Sequence, residues 1–106
     1  MRGQMRCLGL VILLLATPLF AQDRLQLREQ GKKLFFDHGC FGCHTVGTVG
    51  TMLGPDLSNV GAKNSLDFLM QWLRDPSSQK PKAHMPKLTL SEDDIRALAE
   101  YLSSLR

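Results

Sequence analysis

The stretch Cys40-Phe41-Gly42-Cys43-His44 places two thiols three residues apart and an imidazole directly after the second thiol. On one turn of helix, side chains three residues apart lie on the same side of the backbone. The small Gly42 keeps the space between the thiols free of bulk. The spacing therefore suits a flat ligand that is attached at two points along one side and bound from beneath by the imidazole.

The pattern C-x-x-C-H is typical of covalent haem attachment. Haem carries two vinyl groups on one side, which Cys40 and Cys43 would reach as thioethers, and His44 would then bind the iron. Three other interpretations are a redox-active dithiol, a zinc site completed by His38, His44 or His84, and a simple disulfide. The sequence shows neither the strand–helix alternation of a thioredoxin-like protein nor a second C-x-x-C. Haem attachment is therefore the preferred interpretation.

Residues 1–21 differ in composition from the rest of the chain. Arg2 and Arg6 precede an apolar run at 8–16, and the small Ala21 follows it. A charged start, a short apolar middle and a small residue at the end are typical of a secretory signal peptide. We therefore expect residues 1–21 to direct export to the periplasm and to be cleaved after Ala21.

A retained leader is the alternative to cleavage. Leu19 stands two positions before the expected cut, where a small residue is preferred, so the leader could persist as a membrane tether. The apolar run is shorter than the roughly 20 residues that a transmembrane helix needs. We expect no membrane span unless the leader is retained.

The mature chain, residues 22–106, is long enough for one small domain. Cleavage removes Cys7 together with Arg2 and Arg6, which lowers the formal net charge from +3 to +1. No basic run with interleaved aromatic residues remains, so nucleic acid is not an expected partner. A domain this small buries little apolar surface and usually depends on a disulfide, a metal or a cofactor for stability.

Three segments have the apolar periodicity of helices, at residues 23–37, 65–75 and 89–106. Gly39 and Pro76 follow the first two segments as residues that end helices. Thr89 and Glu92 predict a capping box for the third. The apolar stripe of that third helix consists of Ile95, Leu98, Ala99, Leu102 and Leu105.

The connections at 45–63 and 77–88 are rich in Gly, Thr and Pro and show no alternation of period two. We therefore expect no sheet. The predicted fold class is all-α, with long irregular loops between the helices.

Further motifs follow in an order that belongs to a known family. They are Gly31-Lys32-Lys33-Leu34-Phe35, Gly54-Pro55-Asp56-Leu57, Met85-Pro86, and Leu98, Tyr101 and Leu102 in the last helix. Together with C-x-x-C-H, they make residues 27–105 resemble the class I cytochrome c family. The resemblance implies the cytochrome c fold, in which three main helices surround one covalently attached haem. It also implies that Gly31 and Phe35 meet Leu98 and Tyr101 where the first and last helices cross.

The resemblance further implies the haem site. The carbonyl of Pro55 would accept a hydrogen bond from His44, and Met85 would be the second axial ligand. A thioether is soft and neutral, so it favours ferrous iron and raises the reduction potential. His84 is the competing ligand. The indole of Trp72 is either a core aromatic or a hydrogen-bond donor to a haem propionate.

The expected function is electron transfer by a monomeric periplasmic protein with one haem c, and not catalysis. Its partners would be a redox donor and a redox acceptor, such as a membrane-bound oxidase or dehydrogenase. Lys80, Lys82 and Lys87 flank Met85. They either speed encounter with an acidic partner or only keep the loop solvated. The alternatives are a fixed cytochrome subunit of a larger periplasmic redox enzyme, and a five-coordinate haem sensor or peroxidase.

Overall fold

The computed structural model describes residues 19–106, together with Gly3 and Gly9. Its helices are α1 (Leu19–Asp37), α2 (Val60–Lys63), α3 (Leu66–Arg74), α4 (Pro76–Gln79) and α5 (Glu92–Ser103). A 3-10 turn covers Cys40–Gly42, and two short strands, β1 (Thr45–Val46) and β2 (Val49–Gly50), follow it. The domain is mostly helical, so the predicted all-α class is confirmed.

The predicted signal peptide lies mainly outside the described residues and stays a prediction. Its last residues, 19–21, form the first turn of α1, which therefore begins four residues before the predicted helix. Within residues 19–106, no helix is long and apolar enough to cross a membrane.

The first and last helices cross with their backbones in close contact. A Cβ atom at Gly31 would collide with the backbone carbonyl of Ala97 and lie 2.8 Å from the Cβ of Tyr101. One turn later, the Phe35 ring meets the Tyr101 ring edge-on, with centroids 5.6 Å apart. The expected crossing is confirmed, and Ala97 is an additional contact within it.

The buried core lies where α1 crosses α5 and where α3 packs against α5. Its side chains are Phe35, Leu69, Leu73, Ile95, Leu98, Ala99, Tyr101 and Leu102. They come from the apolar faces that the periodicity predicts for the three main helices. Because apolar side chains repeat every three to four residues in α3 and α5, each helix presents one continuous face to the core.

The start of α5 differs from the prediction. Ser91 is the N-cap, and its Oγ accepts a hydrogen bond from the backbone N–H of Asp94 at 3.1 Å. The helix begins at Glu92, so the capping box predicted at Thr89 and Glu92 is wrong. Ser91 and Asp94 have the same three-residue spacing, and Ser91 has the extended backbone that an N-cap requires.

The prediction that the chain has no sheet is also wrong, although the sheet is small. Thr45 pairs with Gly50 and Val46 pairs with Val49 in an antiparallel hairpin. Strands of two residues are too short to show an alternating pattern in the sequence. The hairpin follows His44 directly, so it fixes the start of the loop beyond the C-x-x-C-H motif.

The predicted loops also contain two single-turn helices. Pro76 follows the end of α3 as expected, but it also begins α4, where Asp75 accepts the N–H of Ser77 as its cap. Proline suits the first position of a helix because its missing N–H would have no partner there. In α2, the N–H of Gly61 donates to the carbonyl of Leu105 at 2.8 Å, which fastens the first loop to the end of the chain.

Candidate haem site

The C-x-x-C-H motif forms a tight turn directly after α1. Gly39 adopts a left-handed conformation with φ 72°, which ends the helix and redirects the chain. The carbonyl of Cys40 then accepts the N–H groups of both Cys43 and His44, at 3.2 and 2.9 Å. One carbonyl therefore closes the turn that holds both thiols and the imidazole.

Phe41, inside the motif, anchors this turn to the core. Its ring meets the buried Phe35 ring edge-on, with centroids 4.7 Å apart. Sequence reasoning assigned Phe41 no role, although a large aromatic side chain between the two cysteines indicates a packing contact. The contact positions the motif relative to α1 and, through Phe35, relative to α5.

The imidazole of His44 is held in one tautomer. Its Nδ1 lies 2.8 Å from the carbonyl oxygen of Pro55. Because a carbonyl can only accept, Nδ1 carries the proton and Nε2 keeps the lone pair that a metal requires. A hydrogen bond of this kind fixes the ring orientation and increases the basicity of a histidine ligand.

Gly54 leaves room for that ring. A Cβ atom at Gly54 would lie 2.9 Å from Cε1 and 3.0 Å from Nδ1 of His44. The N–H of Gly54 also donates to the carbonyl of Cys43. Sequence reasoning gave Gly54 no role of its own, since the close approach of a ring to a glycine has no sequence signal.

A polar network ties the residues that follow Pro55 to the hairpin. The carboxylate of Asp56 accepts the N–H and the hydroxyl of Ser58, at 2.9 and 2.6 Å. The hydroxyl oxygen of Ser58 accepts the N–H of Gly47 in the hairpin turn at 2.8 Å. The hydrogen bonds from Ser58 lower the pKa of Asp56, because they favour the ionised carboxylate that accepts them. The segment that bears Pro55 is thereby tied to the hairpin that follows His44.

The structure tests the alternative uses of the two cysteines. Cys40 is half-buried and Cys43 is exposed, and neither forms a disulfide. Burial raises the pKa of the Cys40 thiol, whereas a reactive dithiol needs a thiol whose pKa is lowered. Within residues 19–106, no three His, Cys, Asp or Glu side chains come together as a zinc site would require.

The predicted second ligand, Met85, lies in the segment between α4 and α5. Its sulfur accepts a hydrogen bond from the indole Nε1–H of Trp72 at 3.1 Å. Met85 is half-buried against the core, whereas the neighbouring His84 is exposed. Of the other two methionines in the described domain, Met70 also packs against the core and Met52 is 87% exposed.

A bidentate ion pair joins the helices on either side of residues 75–91, which comprise α4 and the segment that carries Met85. Arg74 at the end of α3 donates from Nε and Nη2 to the carboxylate of Glu92 at the start of α5, at 2.7–3.1 Å. The guanidinium lowers the pKa of Glu92 by hydrogen bonding. Paired N–H donors on one carboxylate fix the relative orientation of the two groups. Residues 75–91 therefore start and end at two helix termini that are connected to each other.

These residues fit a covalently attached haem. Two thiols on one turn can form thioethers, and a neutral imidazole with its proton on Nδ1 can bind iron through Nε2. The half-buried thioether of Met85 supplies a second soft donor from another part of the chain.

We expect Gly54→Ala to displace the His44 ring and to weaken its bond to Pro55, because the added methyl would overlap the ring edge. The free energy of unfolding of the haem-loaded protein should fall by about 1–3 kcal/mol, the usual cost of overpacking. Guanidinium denaturation measures this change. Leu53→Ala, at an exposed neighbour, is the control and should change stability by less than about 0.5 kcal/mol. Equal stability of the two variants would show that the ring can move aside freely.

Comparisons with known proteins identify the family of the chain. The cytochrome c family model matches residues 28–106. The chain is 39% identical over 89 residues to cytochrome c oxidase subunit 2 of Alkalihalophilus pseudofirmus, which covers 76% of this chain and 26% of that protein. It is 30% identical over 79 residues to a nitric oxide reductase subunit from Stutzerimonas stutzeri, covering 69% and 54% of the two chains. For the same subunit from Paracoccus denitrificans the identity is 27% over 94 residues, covering 77% and 63%.

The chain thus spans less than two thirds of the length of each of these relatives. The family match extends over the second half of α1, the C-x-x-C-H turn, α3, the segment that carries Met85, and α5. The cytochrome c fold and covalently bound haem c follow from that match. The chain belongs to the cytochrome c family of electron-transfer haem proteins.

Proposed function

We propose that this chain carries single electrons between redox proteins as an exported monomeric cytochrome with one haem c. Cys40 and Cys43 attach the haem, and His44 and Met85 are the axial ligands. When bound, the haem supplies the one-electron redox change, and the protein orients it, limits water access and sets its potential. The observation that carries the proposal is the hydrogen bond from His44 Nδ1 to Pro55, which prepares Nε2 for a metal beside the two thiols.

The geometry supports Met85 over His84 as the second ligand. The sulfur of Met85 is held by Trp72 on the inner side of its segment, whereas the imidazole of His84 is exposed. Two ligands that close both faces of the iron suit a carrier, because no substrate then has to bind the metal. A sensor or a peroxidase needs an open position instead.

The relatives named above support an assignment of the redox partners of this chain. They are subunits of a cytochrome c oxidase and of nitric oxide reductases, which supports a membrane-bound redox enzyme as donor or acceptor for this chain. The same relatives favour, as a second candidate function, a fixed cytochrome subunit of such an enzyme. A fixed subunit would co-purify with its complex from native membranes, and a free carrier would not.

Export and the docking surface complete the proposal. Residues 1–21 would act as the signal peptide and residues 22–106 as the cytochrome domain in the periplasm, unless the leader is retained as a tether. Lys80, Lys82 and Lys87 are exposed around Met85. Their charge would attract an acidic partner, so the rate of electron transfer should fall as salt concentration rises.

The test is the visible spectrum of protein produced with a haem-attachment system, recorded oxidised, reduced, and reduced with carbon monoxide. We expect low-spin haem that stays attached to the polypeptide after denaturation. The oxidised protein should show a weak sulfur–iron band, and carbon monoxide should not change the spectrum of the reduced protein. The matched control is the double variant Cys40→Ala and Cys43→Ala, which should lose all covalent haem.

A five-coordinate spectrum, or ready binding of carbon monoxide to the reduced protein, would replace the carrier with the sensor or peroxidase. Absence of haem from a competent host would reject the proposal altogether. Covalent haem in the double variant would show that Cys40 and Cys43 are not the attachment points.

A further inference from the structure

The segment that carries Met85 has few contacts that hold it in place. Across residues 77–94, all of which the structure describes, no residue is buried. Within the described part of the chain, residues 81–90 take part in two hydrogen bonds. One runs from a backbone N–H to the carbonyl of Lys80, and the other from Trp72 to the Met85 sulfur. A segment with few buried side chains and few hydrogen bonds opens at a low cost in free energy.

The N-terminal end of this segment is fastened through α4, which begins two residues after α3 ends. Pro76 in α4 is fully buried. The side-chain amide of Gln79 donates to the amide oxygen of Gln71 in α3 at 3.0 Å. We therefore expect this end to stay in place when the residues after it move.

The C-terminal end of the segment is fastened to α3 through Glu92. Residues 87–91 are exposed or half-buried, and Glu92 directly after them accepts the bidentate bond from Arg74. This ion pair and residues 87–90 line one cleft of about 460 Å³, which leaves these residues room to move. The pair and the partial packing of Leu90 against the core therefore hold this end.

We propose that Arg74 and Glu92 are positioning residues for Met85, and that their ion pair slows the loss of the Met85 sulfur from the iron. The inference rests on the proposed function, in which Met85 binds the iron. For the sulfur to leave, residues 80–91 have to swing outward about the end that α4 fixes. That movement pulls the first residue of α5 away from Arg74, so the ion pair has to break first.

Two simpler roles of Glu92 lead to different expectations. An ion pair that only stabilises the fold would persist while the segment opens, so its removal would not change the rate at which the sulfur leaves. An acidic side chain also stabilises the start of a helix through the helix dipole. Glu92 shares that second role with Asp93, which is exposed in the same first turn of α5.

The experiment uses the oxidised, haem-loaded protein and imidazole as an added ligand. If Met85 must leave before imidazole can bind, the binding rate rises with imidazole concentration to a plateau, which equals the rate at which the sulfur leaves. The variants are Arg74→Gln, Glu92→Gln and the double variant. Asp93→Asn is the matched control, because it removes the same charge from the same turn and leaves the pair in place.

We expect each single variant to raise the plateau rate roughly threefold to fivefold, the upper part of the range for an exposed ion pair. The double variant should match the single variants, because both substitutions remove the same bond. Asp93→Asn should leave the plateau rate unchanged. In the wild type the plateau rate should rise with salt concentration, since salt screens exposed charges, and Glu92→Gln should respond less.

Other results would overturn the inference in distinguishable ways. Equal plateau rates in the wild type and Glu92→Gln, with the sulfur–iron band present, would keep Met85 as the ligand and remove the role of the pair. An equal rise in Asp93→Asn would assign the effect to the charge at the helix start. A double variant whose rise is the product of the single rises would show that Arg74 and Glu92 act independently. Binding without a plateau, in a wild-type protein that lacks the band, would reject Met85 as the ligand and the inference with it.

Discussion

Gly31→Val is expected to remove a large part of the stability of the fold. A Cβ atom at this position would overlap the carbonyl oxygen and carbon of Ala97, and valine adds two further methyl groups. Backbone atoms within a helix cannot rotate away as the end of a side chain can, so α1 would have to move off α5. Overpacking commonly costs about 1–3 kcal/mol. We expect the upper end of that range or more, out of a total stability of about 5–15 kcal/mol.

Thermal unfolding followed by circular dichroism measures this loss. Gly31→Ala should also destabilise the protein, although alanine favours an isolated helix by about 1 kcal/mol over glycine. Lys32→Ala, at an exposed position of the same helix, is the matched control and should leave stability nearly unchanged. If Gly31→Ala were as stable as the wild type or more stable, the close approach of the two backbones would be incorrect.

The helices could be predicted because the apolar spacing that specifies them is local and repeats along the chain. In α5, Ile95, Leu98 and Leu102 recur at three- and four-residue steps, and all three are buried. The hairpin at residues 45–50 could not be predicted, because two strands of two residues contain no repeat. The N-cap of α5 is Ser91 and not Thr89, and spacing alone does not separate them, because both have an acidic residue three positions later.

The candidate site also contains some features that the sequence predicts and others that it does not. The C-x-x-C-H turn is a local motif, and its residues could be named from spacing alone. The contact between His44 and Pro55 joins residues 11 positions apart, and only the resemblance to a family indicated it. Gly54 beneath the imidazole and Trp72 against the Met85 sulfur depend on how separate segments pack. Such contacts leave no regular spacing in one sequence, so a structure is needed to find them.

Met85→Ala is expected to convert a closed haem into an open one. Loss of the thioether would leave one face of the iron without a protein ligand, so the reduced protein should bind carbon monoxide readily and the sulfur–iron band should disappear. The reduction potential should also fall, since methionine raises it in cytochromes c. We expect the ratio of ferric to ferrous protein at a fixed potential to rise more than tenfold. That rise corresponds to a fall of more than about 59 mV in the reduction potential.

The matched control is His84→Ala, one residue away in the same segment. His84 is exposed, so its removal should leave the carbon monoxide response, the band and the potential unchanged. The opposite pattern, in which His84→Ala opens the haem and Met85→Ala does not, would establish two histidine ligands and a low-potential carrier. If neither variant changed the response to carbon monoxide, the second ligand would lie elsewhere, and the contact between Trp72 and Met85 would be a packing contact only. The pair of variants therefore tests the identity of the ligand separately from the ability of the chain to hold haem, because the proposed attachment at Cys40 and Cys43 would depend on neither residue.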